Sequence, residues 1–103
     1  MRRASYIESG IKTADALIYT GAVLVYSMTL SWKGVTVGDL CTLIDGTDVT
    51  GHDEVAFVFP TANGTLTKEW AQGKLFDTGL FFNKGGMAPA GAVFADFTYQ
   101  ANL

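Results

Sequence analysis

Charge, cysteine and histidine are all scarce in this chain, and each scarcity removes a class of protein. Asp, Glu, Lys and Arg make up 17% of the 103 residues, against roughly 25% in typical domains. The net charge of −3 argues against general nucleic-acid binding, which asks for a basic face. Arg2 and Arg3 form a local basic pair, too small for a polybasic arm. Cys41 is the single cysteine, so no disulfide can form within the chain and the fold must do without one. No apolar run reaches the ~18 residues of a membrane-spanning helix. The longest approach, 14–30, is interrupted by Asp15, Thr20, Ser27 and Thr29, and no membrane partner is expected. The opening MRRASYIESG is basic but lacks the apolar core of a signal peptide, so the expected site of synthesis is a reducing cytoplasm.

Glycine, by contrast, is plentiful. Twelve glycines fall at short intervals, often beside Asp, Asn or Lys, and such punctuation is the mark of turns between strands. The stretch 22–32 reads AVLVYSMTLSW, with Ala22, Leu24, Tyr26, Met28, Leu30 and Trp32 on alternate positions. Period two over eleven residues predicts a strand with its even face in a core and its odd face near solvent. Val55, Phe57 and Phe59 repeat the pattern in one later segment, and Val93, Ala95, Phe97 and Tyr99 in another. Both are expected to present aromatic rows to a common core. Strands are predicted at 5–8, 16–19, 22–32, 39–45, 54–60, 64–70, 79–82 and 92–100. A short helical turn over 68–73 is the only helix the sequence admits. The fold class is therefore all-β: a single antiparallel β-sandwich, jelly-roll-like, of about eight short strands. Residues 1–10 are read as an N-terminal arm and 11–103 as the sandwich domain. Two Trp, four Tyr and seven Phe in so small and uncharged a chain predict apolar surface covered by a neighbouring subunit, with a well-packed monomer as the alternative.

No catalytic, cofactor or metal constellation emerges, and an enzyme is not expected. Cys41 sits in LCTLI, alternating with Leu40 and Ile44, and reads as a small buried hydrophobe. Its only possible histidine partner is His52, and nothing in the sequence brings the two together. The segment 45–54 concentrates Asp45, Asp48, Asp53, Glu54 and His52 but lacks the ligand spacing of a calcium loop or a zinc site. A strand connection held by Asx turns is the better reading. His52 could act as a pH switch, although a solvated loop histidine is the simpler account. Asp53 and Glu54 are neighbours on a strand and face opposite ways, so they cannot flank one substrate bond. Asp96, alone among apolar neighbours, is expected at solvent or at an interface. The glycine-rich stretch 85–91 is no phosphate loop and reads as a hairpin tip or contact loop. Tyr6, Trp32 and Trp70 could stack on sugars or bases, but packing suits them better.

Several phrases carry a family likeness. ALIYTGAVLVYSMTLS (16–31), CTLIDGTDVTG (41–51) and FDTGLFF (76–82), closed by the alternating strand 92–99, resemble the corresponding segments of small β-sandwich virion proteins of tailed bacteriophages. The likeness spans residues 16–100. The chain departs from the family pattern in an acidic connection at 51–54 and in a long Gly/Ala-rich loop after Phe82. The resemblance implies a capsid decoration (cement) protein that binds and stabilises the assembled shell. Its partners would be the major capsid protein and other copies of itself, in a homotrimer on the outer capsid surface, with no cofactor. A tail, neck or fibre component, or a carbohydrate-binding β-sandwich module using Trp32 or Trp70, are the alternatives. Arg2, Arg3 and Tyr6 in the arm, and Lys84, Met87 and Pro89 in the long loop, are the expected partner contacts, the arm by adding a strand to an exposed sheet edge.

Overall fold

The computed structural model describes residues 6–84 and 91–101. These residues form eight strands: β1 (Ile7–Glu8), β2 (Ala16–Thr20), β3 (Val23–Lys33), β4 (Leu40–Asp45), β5 (His52–Val58), β6 (Asn63–Phe76), β7 (Gly79–Asn83) and β8 (Ala92–Gln100). Two four-stranded antiparallel sheets result, ordered β1-β8-β3-β6 (sheet A) and β2-β7-β4-β5 (sheet B). Each strand of the first half pairs with its counterpart counted back from the end: β1 with β8, β2 with β7, β3 with β6 and β4 with β5. That nested pairing is the topology of a jelly roll. β3 with β8 and β4 with β7 then join the pairs into sheets.

The core lies between the sheets and is aromatic where they meet. Phe82 of sheet B packs on Phe97 of sheet A with ring centroids 5.7 Å apart. Trp32 packs against Phe57 and Phe59, 5.3 Å from each, and its indole N–H donates to the Thr61 carbonyl at 2.9 Å. That bond satisfies the one polar group the buried indole carries. Val93, Ala95, Phe97 and Tyr99 all face inward, as their alternation predicts.

β3 departs from a single alternating pattern. Val23 and Val25 are buried in its first half, whereas Met28, Leu30 and Trp32 are buried in its second. The buried face therefore passes from odd to even positions, and the switch falls at Tyr26. There the pairing with both neighbours slips: Val25 is opposite Lys74 and Tyr99, but Ser27 is opposite Glu69 and Thr98. A bulge changes the phase of everything after it because the side-chain period is two. The expectation that Leu24 shares the core face of Met28 is thus corrected. The apolar odd residues Val23 and Val25 were the signal.

The short helix read over 68–73 is also corrected, since these residues lie inside β6. Trp70 to Gly73 are the extra residues that β6 carries opposite the Tyr26 bulge. Gly73 has φ +81, a left-handed conformation in which a side chain would be strained. β6 is an edge strand, and this explains how Lys68, Glu69 and Gln72 fit a strand: both of its faces reach solvent over most of its length.

Candidate functional site

The two nucleophile-and-base candidates are kept apart by the ladder itself. Cys41 is paired with Phe57, whereas His52 is paired with Asp45 at the other end of the same two strands. Cys41 points into the core, and burial pushes its thiol up to about 12. A thiolate is therefore disfavoured where a nucleophile would need one. His52 is exposed, with its Nε2 4.0 Å from Glu54.

The acidic segment between β4 and β5 is occupied with its own backbone. Asp48 accepts from the Thr50 hydroxyl and, at 2.9 Å, from the Thr50 N–H, an Asx turn of the expected kind. Asp45 reaches away to the β6–β7 turn, where the N–H groups of Asp77, Thr78 and Gly79 donate to its carboxylate. Glu54 lies 3.7 Å from Lys74 Nζ and so links β5 to β6 across the open side of the sandwich. Asp96 accepts from the Ser9 hydroxyl at 3.3 Å on the outer face of sheet A. Among the described residues no three His, Cys, Asp or Glu side chains converge as a metal would require.

Of the six expected contact residues, Arg2, Arg3, Met87 and Pro89 lie outside the described residues. Tyr6 precedes β1 and is 58% exposed. Lys84 follows β7, its backbone N–H donating to Asp15 at 2.8 Å. The two belong to different sheets and build no joint site. The end of the arm is already engaged, because Ile7 and Glu8 pair with Tyr99 and Thr98 of their own chain. Of the two tryptophans considered for stacking, Trp32 is buried apart from an edge that lines a surface recess, and Trp70 is half-buried.

Three surface features emerge that the sequence did not single out. The first is the outer face of sheet B. Leu17, Leu40 and Val58 are 46%, 42% and 53% exposed there, with Ala56 and Phe81 between them. Within the four strands, Asp53 is the only charged residue on that face among the described residues. The second is a recess of about 450 Å³ on sheet A, lined by Trp32 together with Ser31, Lys33, Asn63, Gly64, Thr65 and Phe94. The third, of about 320 Å³, lies at the Tyr26 bulge and is lined by Tyr6, Tyr26, Ser27, Glu69, Trp70 and Thr98. It arises because the bulge exposes Tyr26 at the surface beside residues that are distant in sequence. Its one local signal is the Trp-Ala-Gln-Gly run of 70–73, where a glycine interrupts a strand pattern.

No protein-family model matches this chain, and no curated protein matches it.

Proposed function

We propose that this chain is a structural virion protein of a tailed bacteriophage, a decoration protein that binds the assembled major capsid protein. In this reading it sits on the outer capsid surface as a homotrimer. The supporting observation is the outer face of sheet B, where Leu17, Leu40, Val58 and Phe81 form an almost uncharged surface. Apolar surface of this kind marks a contact with another protein. The jelly-roll topology is compatible by analogy, since capsid and lectin domains both use it. Its mechanism is mass action: each copy that binds only the assembled shell stabilises that shell.

The test is add-back. Capsids lacking the protein are mixed with purified protein and sedimented, and thermal disruption of the shell is followed. Co-sedimentation with a raised disruption temperature is expected, and Leu17→Glu with Val58→Glu should abolish both. Failure of the wild-type protein to bind would overturn the reading. Binding confined to tails or necks would support the alternative virion role.

A further inference from the structure

We propose that the recess at the Tyr26 bulge binds an organic cation, an ammonium or guanidinium group, between aromatic faces and the Glu69 carboxylate. This inference stands apart from the capsid reading and needs neither an oligomer nor a shell.

The recess is built rather than incidental. Tyr6 and Tyr26 meet edge to face, with ring centroids 5.0 Å apart and planes at 90°. Tyr26 is held at its far end by a 3.1 Å hydrogen bond from its hydroxyl to Gln100 Oε1. Along its flank lies Gly73, where a Cβ would come within 3.3 Å of Tyr26 Cε1 and 3.1 Å of Leu24 Cδ2. The third ring, Trp70, packs partly on the core and also lines the recess. Three aromatic side chains thus meet at one place, two of them fixed by packing or hydrogen bonding before any ligand arrives. Preorganisation of this kind lowers the entropy lost on binding.

The charge around the recess selects the ligand. Glu69 lines it directly. Glu8 is paired with Thr98, another lining residue, and Asp96 lies two residues along β8 on the same face. Glu69 is thus the carboxylate in the recess itself, with Glu8 and Asp96 further along the same outer face of sheet A. The ammonium of Lys68 sits 6.0 Å from the Trp70 ring centroid. That distance is at the outer limit of a cation–π contact. Aromatic faces attract cations through their quadrupole, and neighbouring carboxylates add to the attraction. The volume is at the low end of the ~300–1,000 Å³ typical of ligand pockets. It suits one side-chain head group or small quaternary ammonium ion. The hydroxyls of Ser27 and Thr98 can accept hydrogen bonds from a guanidinium or ammonium donor.

The experiment is a titration followed by heteronuclear NMR at low salt. The probes are tetramethylammonium chloride, N-acetyl-arginine amide and N-acetyl-trimethyllysine amide. Two neutral controls, 3,3-dimethylbutan-1-ol and a set of monosaccharides, are run beside them. Saturable shifts confined to Tyr6, Tyr26, Glu69, Trp70 and Gln100 are expected with the cations. Glu69→Gln, an exposed substitution, should weaken binding roughly threefold to tenfold, and Lys68→Met should strengthen it by removing a competing charge. Tighter binding of the amino-acid amides than of tetramethylammonium points to a side chain of a partner protein. The reverse order points to a free small cation. Equal binding of the neutral alcohol, preferential binding of a sugar, an unchanged affinity in Glu69→Gln, or no saturable shift with any cation would each overturn the proposal.

Discussion

The backbone N–H of Thr78 donates to the Asp45 carboxylate at 2.8 Å, tying the end of β4 to the turn between β6 and β7. Asp77 and Gly79 donate to the same carboxylate at 3.1 and 3.3 Å. One side chain thus satisfies three backbone donors of the turn. Asp45→Ala is expected to destabilise the fold by about 2–4 kcal/mol, since bonds to charged acceptors are worth more than neutral ones. Urea denaturation should show a lower midpoint with an unchanged slope, and Asp45→Asn should lose less. A midpoint unchanged in Asp45→Ala would mean that the turn stands without it.

Asp48 gives an acid-side signature. The Thr50 hydroxyl, then the Thr50 N–H, hold its carboxyl below the ordinary carboxylate value of 3.8. A lowered pKa in the folded state means that the contribution is fully present above the unfolded value and is lost as pH falls through the folded one. An NMR titration should place the Asp48 midpoint below 3.8, and Thr50→Val should move it upward. The group is exposed, so the effect on global stability is expected to be small.

Cys41 gives the alkaline counterpart. Its thiol is raised by burial from 9.0 to about 12, so the fold holds the neutral form. The contribution is complete below pH 9 and is lost as pH rises toward 12, because the unfolded chain releases that proton first. Native protein at pH 8 should resist a thiol reagent and react fully in denaturant. Rapid labelling of the native protein would contradict the packing of β4.

Thr42 carries a buried hydroxyl with no hydrogen-bond partner among the described residues. Such a group loses its hydration without compensation. Thr42→Val keeps the shape and removes the orphan, and should stabilise the protein by about 1 kcal/mol. Calorimetry would register this as a higher melting temperature, and a fall would show that the hydroxyl finds a partner in solution.

Gly51 closes the loop over Ile44. A Cβ there would lie 2.6 Å from Ile44 Cγ2 and 2.7 Å from the Asp45 carbonyl oxygen. The second neighbour is backbone and cannot turn aside. Gly51→Ala is therefore expected to cost about 1–3 kcal/mol, as overpacking does. Ile44→Leu, which removes the Cγ2 branch that the new Cβ would meet, should recover part of the loss on the same background, read from the difference between single and double mutants.

Most strands were legible because alternation is a local property. β8 and the second half of β3 bury the residues that their period-two pattern selects. β6 was read as ending at Trp70, with a helical turn over 68–73, because Lys68, Glu69, Gln72 and Gly73 carry no strand pattern. They continue the strand because an edge strand leaves charged side chains in water. The phase of β3 was misread at its start because Val23 and Leu24 are both apolar. Local pattern cannot choose between them, and the bulge at Tyr26 does.

The candidate sites divide in the same way. Cys41 as a packing residue and Asp48 as a turn former follow from neighbours close in sequence. The recess of Tyr6, Tyr26 and Trp70 does not, since it joins segments from both ends of the chain with the middle of β6.

The sequence by itself determined an all-β chain, the positions of most of its strands and the absence of any disulfide within it. Each of these depends on composition or on side chains a few residues apart. Only the tertiary structure decided the nested pairing, in which Ile7 meets Tyr99, the face of β3 that is buried, and the grouping of three aromatic rings at one bulge. These depend on register between distant strands, and a shift of one residue would turn every side chain to the opposite face.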